Sequence, residues 1–286
     1  APEACLDSLR RADPLIRRGG VPQVTCRPLM VQIDLRNPFI FADTTAWKPL
    51  FNKTVEEQKA IYRSAEFRAA ARDELKKPRI FSGRWERLEI HEVLTPTLKP
   101  LEGKTVGQVA AERGRDGLDT FLDLGLEDDL AMQFSCALFN ADERRIPELL
   151  VDPRTMIGLS DGGAHVDMLC DSGYATHLLG HWVRDRQVLS LERAVARLTS
   201  EPARFFGIRK RGVLAPGMAA DIVIFDLERV GSASRTEMRH DLPGGGRRLV
   251  IESRGIQQTI VNGEIVHDQG RYTGSSPGQV LRSGVS

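Results

Sequence analysis

Between Thr155 and His165 the chain reads Thr-Met-Ile-Gly-Leu-Ser-Asp-Gly-Gly-Ala-His, an apolar run that ends abruptly in an acid, two glycines and a histidine. A short run of this kind is what a strand buried on both faces requires, and its polar end marks where the chain leaves the core. Glycines directly after the acid let the backbone come close to a ligand. An acid at the C-terminal end of a barrel strand is a typical catalytic placement, although the same residues also suit a turn that caps a following helix. A second buried strand is legible from Val21 to Thr25, bounded by Gly19-Gly20 and turned out by Arg27-Pro28.

Between these strands the pattern changes. From about Leu35 to Asp152 the spacing predicts charged helices over Val55 to Lys76, Val106 to Arg113 and Gly117 to Gly125, with Thr105 and Gln108 spaced as a capping box. So long a stretch must carry structure of its own. After it, Ser190 caps a helix through Leu198, and Pro202 to Gly207 reads as a second short helix stopped by glycine. Then the period becomes two: Asp221 to Asp226 and Gln258 to Val266 read as strands, with a tight turn at Asn262-Gly263. The expected division is a first domain over 1–208 with its helical insertion at about 35–152, a small β domain over 209–269, and a Gly- and Ser-rich tail over 270–286. The tail is expected at the surface or poorly ordered.

Forty Lys plus Arg against thirty-nine Asp plus Glu leave a formal charge of +1, so no global field draws the chain to phosphate backbones or anionic lipid. Nucleic acid and membrane are therefore not expected partners, and no stretch approaches the roughly twenty apolar residues of a membrane span. Cys5, Cys26, Cys136 and Cys170 are too scattered for a disulfide framework, and residues 1–5 lack the pattern of a signal peptide, which together point to the cytoplasm.

Four ordered stretches resemble signatures of the amidohydrolase superfamily: 157–165 (Ile-Gly-Leu-Ser-Asp-Gly-Gly-Ala-His), 199–207 (Thr-Ser-Glu-Pro-Ala-Arg-Phe-Phe-Gly), 211–226 and Val261-Asn262-Gly263. Asp161 to His165 and the stretch 240–249 are similar to segments of its N-acyl-D-amino-acid deacylase and D-aminoacylase branch. The resemblance implies an α/β fold: the C-terminal part of a (β/α)8 TIM-like barrel, with a helical insertion and a small β-sandwich appendage. Val21 to Thr25 and Thr155 to Ser160 would be its strands seven and eight. It also implies a metal-dependent hydrolase of linear amide C–N bonds that uses Zn2+, one or two ions in the complete enzyme, on a small-molecule amide.

On the same resemblance Asp161 is both a metal ligand and the catalytic acid. It takes a proton from zinc-bound water as that water attacks the amide, and passes it to the leaving amine. Gly162 and Gly163 would line the substrate. His165 would touch substrate or hold Asp161, with a hydrogen bond inside the loop as the plain alternative. Arg27 faces the right end of a barrel to meet a substrate carboxylate; its plain alternative is an ion pair with Asp34 or Asp43.

The sequence also departs from the family pattern. No His-x-His precedes Asp161, and His91, His177, His181, His240 and His267 do not end strand-like runs upstream of it. The stretch 166–183 holds no Arg or Lys, where related D-aminoacylases use an arginine. The missing ligands are expected from an upstream N-terminal segment of the same enzyme, and self-association into a homo-oligomer is the other way to cover open strand edges. His177 and His181 have the i, i+4 spacing of some zinc sites without the glutamate of an HExxH pattern, so a metal face and ordinary helix packing both remain open. Cys26 and Cys170 flank the two strand ends and admit either metal ligation or apolar filling. The rival functions are a cyclic-amide hydrolase of the dihydropyrimidinase or hydantoinase kind, and a scaffold that has lost its metal centre.

Overall fold

The computed structural model describes residues 3–77, 81, 83–158, 160 and 162–282, so Leu159 and Asp161 lie outside the described residues. The chain forms two compact units. One comprises Ala1–Leu29, Asn140–Val166 and Cys170–Ser286; the other comprises Met30–Phe139 with Asp167–Leu169.

In the first unit the two strands read from the sequence pair directly. Gln23–Val24 runs parallel to Met156–Ile157, with Gln23 opposite Met156 and Val24 opposite Ile157. The pairing continues past Ile157, where the Gly158 N–H donates to the Val24 carbonyl at 3.2 Å. Parallel neighbours need a long crossover, and here 131 residues of chain lie between Val24 and Met156 (156 − 24 − 1). Around the pair, Leu150, Ile157, Leu178, Trp182, Ala194 and Val230 form a buried cluster. Helix Leu191–Leu198 is capped by Ser190, whose hydroxyl accepts from the Arg193 N–H. Its Arg197 is buried and donates to the Thr155 carbonyl at 2.6 Å and to Thr155 Oγ1 at 2.8 Å, fixing the helix to the start of the strand.

The β region of this unit is a four-stranded antiparallel sheet in the order Arg271–Tyr272, Glu264–Asp268, Ile256–Val261, Ile222–Phe225. Asn262 and Gly263 both take positive φ, +48° and +84°, which suits the two-residue turn expected there. Two smaller antiparallel pairs accompany the sheet: Glu237–Leu242 with Gly246–Val250, and Gly231–Ser232 with Ser253–Arg254. The segment after Gly270 begins as the edge strand of the sheet, and Asn262 Nδ2 donates to the Pro277 carbonyl at 2.7 Å.

The second unit corrects one expectation. The stretch 35–152 reads as helical from its charge pattern, yet the unit it supplies is built on a three-stranded sheet in the order Leu29–Ile33, Gln133–Phe139, Glu89–Glu92. Against it pack Val55–Arg63, Ala65–Glu74, Val106–Arg113 and Gly117–Glu127. The single helix expected from Val55 to Lys76 is two, because Ser64 takes an extended conformation and its hydroxyl caps the second helix at Phe67. Both capping boxes, Thr54 with Glu57 and Thr105 with Gln108, form as such spacing requires. The core is aromatic: Phe41 and Trp47 stack at 3.9 Å, and Phe121 meets Phe134 edge-on at 4.7 Å.

Candidate functional site

The loop after Met156–Ile157 folds back on itself. The Asp171 N–H donates to the Ser160 carbonyl at 3.1 Å, and the Gly162 N–H donates to Ser160 Oγ at 3.2 Å. Farther along, the Leu249 N–H from the strand Gly246–Val250 donates to the Val166 carbonyl at 2.7 Å. Gly163 has φ +96° and His165 φ +47°, so the loop needs left-handed backbone at two places, only one of them a glycine. Gly162, Gly163 and His165 are exposed. Asp161 lies outside the described residues, between a Ser160 and a Gly162 that are both held by these bonds.

Beneath the loop lies a buried ion pair. Arg27 Nε is 3.2 Å from Asp171 Oδ1, and the two side chains are 7% and 1% exposed. Asp171 is thus the partner of Arg27, in place of the Asp34 or Asp43 weighed from sequence. Asp34 is engaged by the Asn37 N–H at 2.8 Å and by Gln133 Nε2 at 2.9 Å. Nε and Nη1 of Arg27 are buried without an aligned hydrogen-bond acceptor, a condition native interiors rarely tolerate away from functional or water-filled places. Gly173 makes room for the guanidinium, since a Cβ there would lie 3.0 Å from Arg27 Nη1 and 2.9 Å from the Ser232 Cβ.

The two histidines sit one turn apart. His177 ends the helix Tyr174–His177, which continues as a π-helix over Leu178–Asp185. The wider turn shows in the Arg186 N–H, which donates to the His181 carbonyl five residues back at 2.8 Å. π-turns within helices are frequent at functional sites. The imidazole rings stack at 4.8 Å with an interplanar angle of 24°. His181 Nε2 lies 3.0 Å from Glu143 Oε1 and 3.1 Å from Oε2, while His177 Nε2 is buried with no hydrogen-bond partner. Burial, with His181 and then Arg27 beside it, pushes the His177 imidazolium down to about 4, so the ring is neutral near pH 7. The helix is pinned where it matters, because Trp182 Nε1 donates to the Cys26 carbonyl at the end of the first strand. Gly180 is required for this approach: a Cβ there would lie 2.3 Å from the Val230 carbonyl oxygen.

The thiols take the plainer of their two readings. Cys26 is buried, its Sγ donates to the Tyr174 carbonyl at 3.1 Å, and burial pushes its pKa up to about 12. Cys170 Sγ lies 3.3 Å from Ser172 Oγ. Among the described residues one group of three potential metal ligands converges, and it is Glu143, His177 and His181, without either cysteine. Sequence reading singled out the histidine pair and Arg27 but neither of their acidic partners. Glu143 and Asp171 stand 38 residues from His181 and 144 residues from Arg27 (181 − 143 and 171 − 27), beyond the reach of any local spacing rule.

The profile of the amidohydrolase family matches residues 67–267, which is more than half of the chain. The chain belongs to the amidohydrolase family. Within it, an uncharacterized protein of Mycobacterium tuberculosis is 30% identical over 232 residues, covering 76% of this chain and 38% of that protein. The D-aminoacylase of Alcaligenes xylosoxydans xylosoxydans is 32% identical over 183 residues, covering 63% of this chain and 34% of the enzyme. Among solved structures, the N-acyl-D-glutamate deacylase from Bordetella bronchiseptica, complexed with zinc and a phosphonate mimic of the tetrahedral intermediate, superposes with a TM-score of 0.50 at 26% identity. That match covers 98% of this chain and 46% of the deacylase. This amidohydrolase chain therefore spans less than half the length of each of these relatives. Among its described residues no helix is long and apolar enough to cross a membrane.

Proposed function

We propose that this chain forms the C-terminal share of a metal-dependent hydrolase of linear amide C–N bonds, with N-acyl-D-amino acids as the substrate class. The observation that carries the reading is the loop from Ser160 to Asp171, which follows a parallel strand pair and closes on itself through the Asp171 N–H and the Ser160 carbonyl. Its likeness to two deacylases names the substrate class. In this reading the parallel pair is the closing edge of an eight-stranded barrel, and the β region is a sandwich beside it.

Zinc fits the described residues only in part. In this reading Asp161 is one oxygen donor to the centre. The other ligands of that centre are assigned to polypeptide outside residues 1–286. The chain's own share of the chemistry follows from its side chains. The Asp161 carboxylate accepts the proton of the attacking water and delivers it to the leaving amine nitrogen, a transfer worth about 10²–10⁴-fold. Gly162 and Gly163, exposed and without side chains, let the acyl group lie against the backbone. His165, held at φ +47°, contacts the substrate from the same loop. Arg27 anchors the loop through its Nε beside Asp171, and its Nη1, which has no hydrogen-bond acceptor, is the donor this reading assigns to the substrate carboxylate. The four free cysteines suit the reducing cytoplasm in which we place the protein.

The test is an assay of the full-length protein on N-acyl-D-amino acids, the matching L-isomers, hydantoins and dihydropyrimidines. Turnover is expected on the D-isomers, with Asp161→Asn lowering kcat by about 10²–10⁴-fold at an unchanged melting temperature. Preference for the cyclic amides, or an Asp161→Asn variant with parental kcat, overturns the assignment.

A further inference from the structure

We propose that Glu143, His177 and His181 form a binding site for a divalent transition-metal ion, with zinc as the ion its donors suit best. The ligand atoms of the three side chains all lie within 4.8 Å of one another. In a tetrahedral site with Zn–N and Zn–O bonds of about 2.0–2.2 Å, neighbouring ligand atoms stand roughly 3.4 Å apart. Glu143 and His181 already meet that spacing at 3.0–3.1 Å. A ring nitrogen of His177 lies within 4.8 Å of both, so closing the sphere requires its side chain to shift toward them.

The state of that nitrogen is what turns a cluster into a site. His177 Nε2 is buried with no hydrogen-bond partner. A buried polar atom left unpaired destabilises the fold, and a metal ion bound between it and the two partly exposed ligands removes that cost. An ordinary helix-packing histidine would turn its nitrogen to a carbonyl or to solvent; this one stacks on the ring of His181 and has one of its ring nitrogens in the same cluster.

The surroundings also suit a cation. Arg27 contributes a nearby positive charge, but Asp171 stands 3.2 Å from its Nε. Asp185, at the end of the π-helix, acts on both imidazoles in the direction that favours a cation, although at His177 its effect is smaller than that of Arg27. Two imidazoles and one carboxylate favour zinc and its transition-metal neighbours over magnesium or calcium, which take oxygen ligands. The His181 and Glu143 side chains are 28% and 33% exposed, so an ion has a path to the site and a fourth position for water. Bound there, it clamps the short 3-10 turn Glu143–Arg145 to the π-helix whose Trp182 holds the end of the first strand.

The experiment measures zinc bound to the full chain by elemental mass spectrometry after dialysis against zinc and then metal-free buffer. It compares the parental protein with Asp161→Asn, Glu143→Gln and His181→Gln, with the melting temperature of each recorded in zinc and in chelator. The ion at this cluster is expected to persist in Asp161→Asn. In Glu143→Gln and His181→Gln the zinc content should fall by about one ion per chain, and the rise in melting temperature with zinc should vanish. Cobalt substituted for zinc should give the visible absorption of a four-coordinate site in the parental chain and in Asp161→Asn alone. Glu143 and His181 are partly exposed, so both variants should fold, and circular dichroism verifies it. A parental chain that binds no zinc, or zinc content and melting shift that survive in both Glu143→Gln and His181→Gln, shows that the cluster is an ion pair beside a packed histidine and overturns the proposal.

Discussion

The unit built on Met30–Phe139 and the unit that holds the candidate site differ in the charges they bury. In the first, Phe41, Trp47, Tyr62, Phe67, Phe121 and Phe134 fill an aromatic core, and arginines such as Arg68 and Arg113 reach acids near the surface. Its buried charges are acids that accept hydrogen bonds, Asp34, Glu74 and Asp128, whereas in the second unit cations go inside as well: Arg27 against Asp171, Arg197 against the Thr155 backbone, and beside them His177 with a ring nitrogen that has no partner. Cores of the first kind are what burial free energy favours. Buried ions of the second kind are weak contributors to stability and are retained where position matters more than stability. That difference supports our proposal that function lies in the unit of the loop, with the other as scaffold.

The largest effect should come from the aromatic core. Phe121→Ala removes a fully buried ring that touches Phe41, Trp85 and Phe134, and should cost about 3–5 kcal/mol in urea or thermal unfolding. A loss below about 1 kcal/mol would break the contrast, because the scaffold would then owe its stability to something else.

Next in size is Arg27→Met, which leaves the Asp171 carboxylate inside without its guanidinium. About 3 kcal/mol should be lost. The double variant Arg27→Met with Asp171→Leu should recover most of that loss, since replacing both ions of a buried pair by apolar groups is often neutral. A double variant as unstable as the single one would mean the pair is stabilising in its own right.

A smaller effect is common to both units. Burial pushes Cys26 in one and Cys136 in the other up to about 12 from a usual value of 9.0. A thiol whose folded pKa is raised contributes stability that is intact below about pH 9 and is lost as the pH rises toward 12. In that window the unfolded chain has released a proton that the folded chain still holds, so unfolding becomes easier by at most about 1.4 kcal/mol per pH unit for each thiol. Cys26→Ala and Cys136→Ala should each remove one such share of the alkaline slope, and neither native thiol should react with iodoacetamide at pH 8. Rapid alkylation of Cys26 would show that the end of the first strand opens readily.

The smallest change should be Arg113→Ala. Its guanidinium meets Glu127 through two hydrogen bonds of 2.6 and 2.9 Å, but the side chains are 30% and 38% exposed, so less than about 1 kcal/mol is at stake and salt should reduce it further.

What could be read from sequence follows the range of the interactions involved. Thr105 with Gln108, Ser190 with Arg193 and the Asn262-Gly263 turn are settled within three or four residues, and all three stand in the structure where the spacing puts them. Met156–Ile157 was legible as a buried strand because an apolar run stopped by polar residues has few other homes, whereas its partner, read as buried over Val21 to Thr25, is the short Gln23–Val24 with Gln23 exposed and Val24 half-buried. Glu89–Glu92 was not legible as a strand, since three of its four residues are charged or ionisable and only Ile90 enters the core. Ser64 was lost inside a helix-rich stretch for the converse reason: a cap residue is recognised by where its backbone bends, which neighbouring propensities do not reveal.

By itself, then, the sequence determined the local elements and the ordered motifs of the amidohydrolase family, both of which depend on neighbours along the chain. Only the tertiary structure decided the partners. It set Asp171 against Arg27 and Glu143 against His181, split the stretch once read as helical into a sheet-based unit, and left one imidazole nitrogen buried with nothing to bind. Such pairings are fixed by how packed elements bring distant residues within about 3 Å, the distance over which hydrogen bonds act, and no periodicity in the chain encodes that contact.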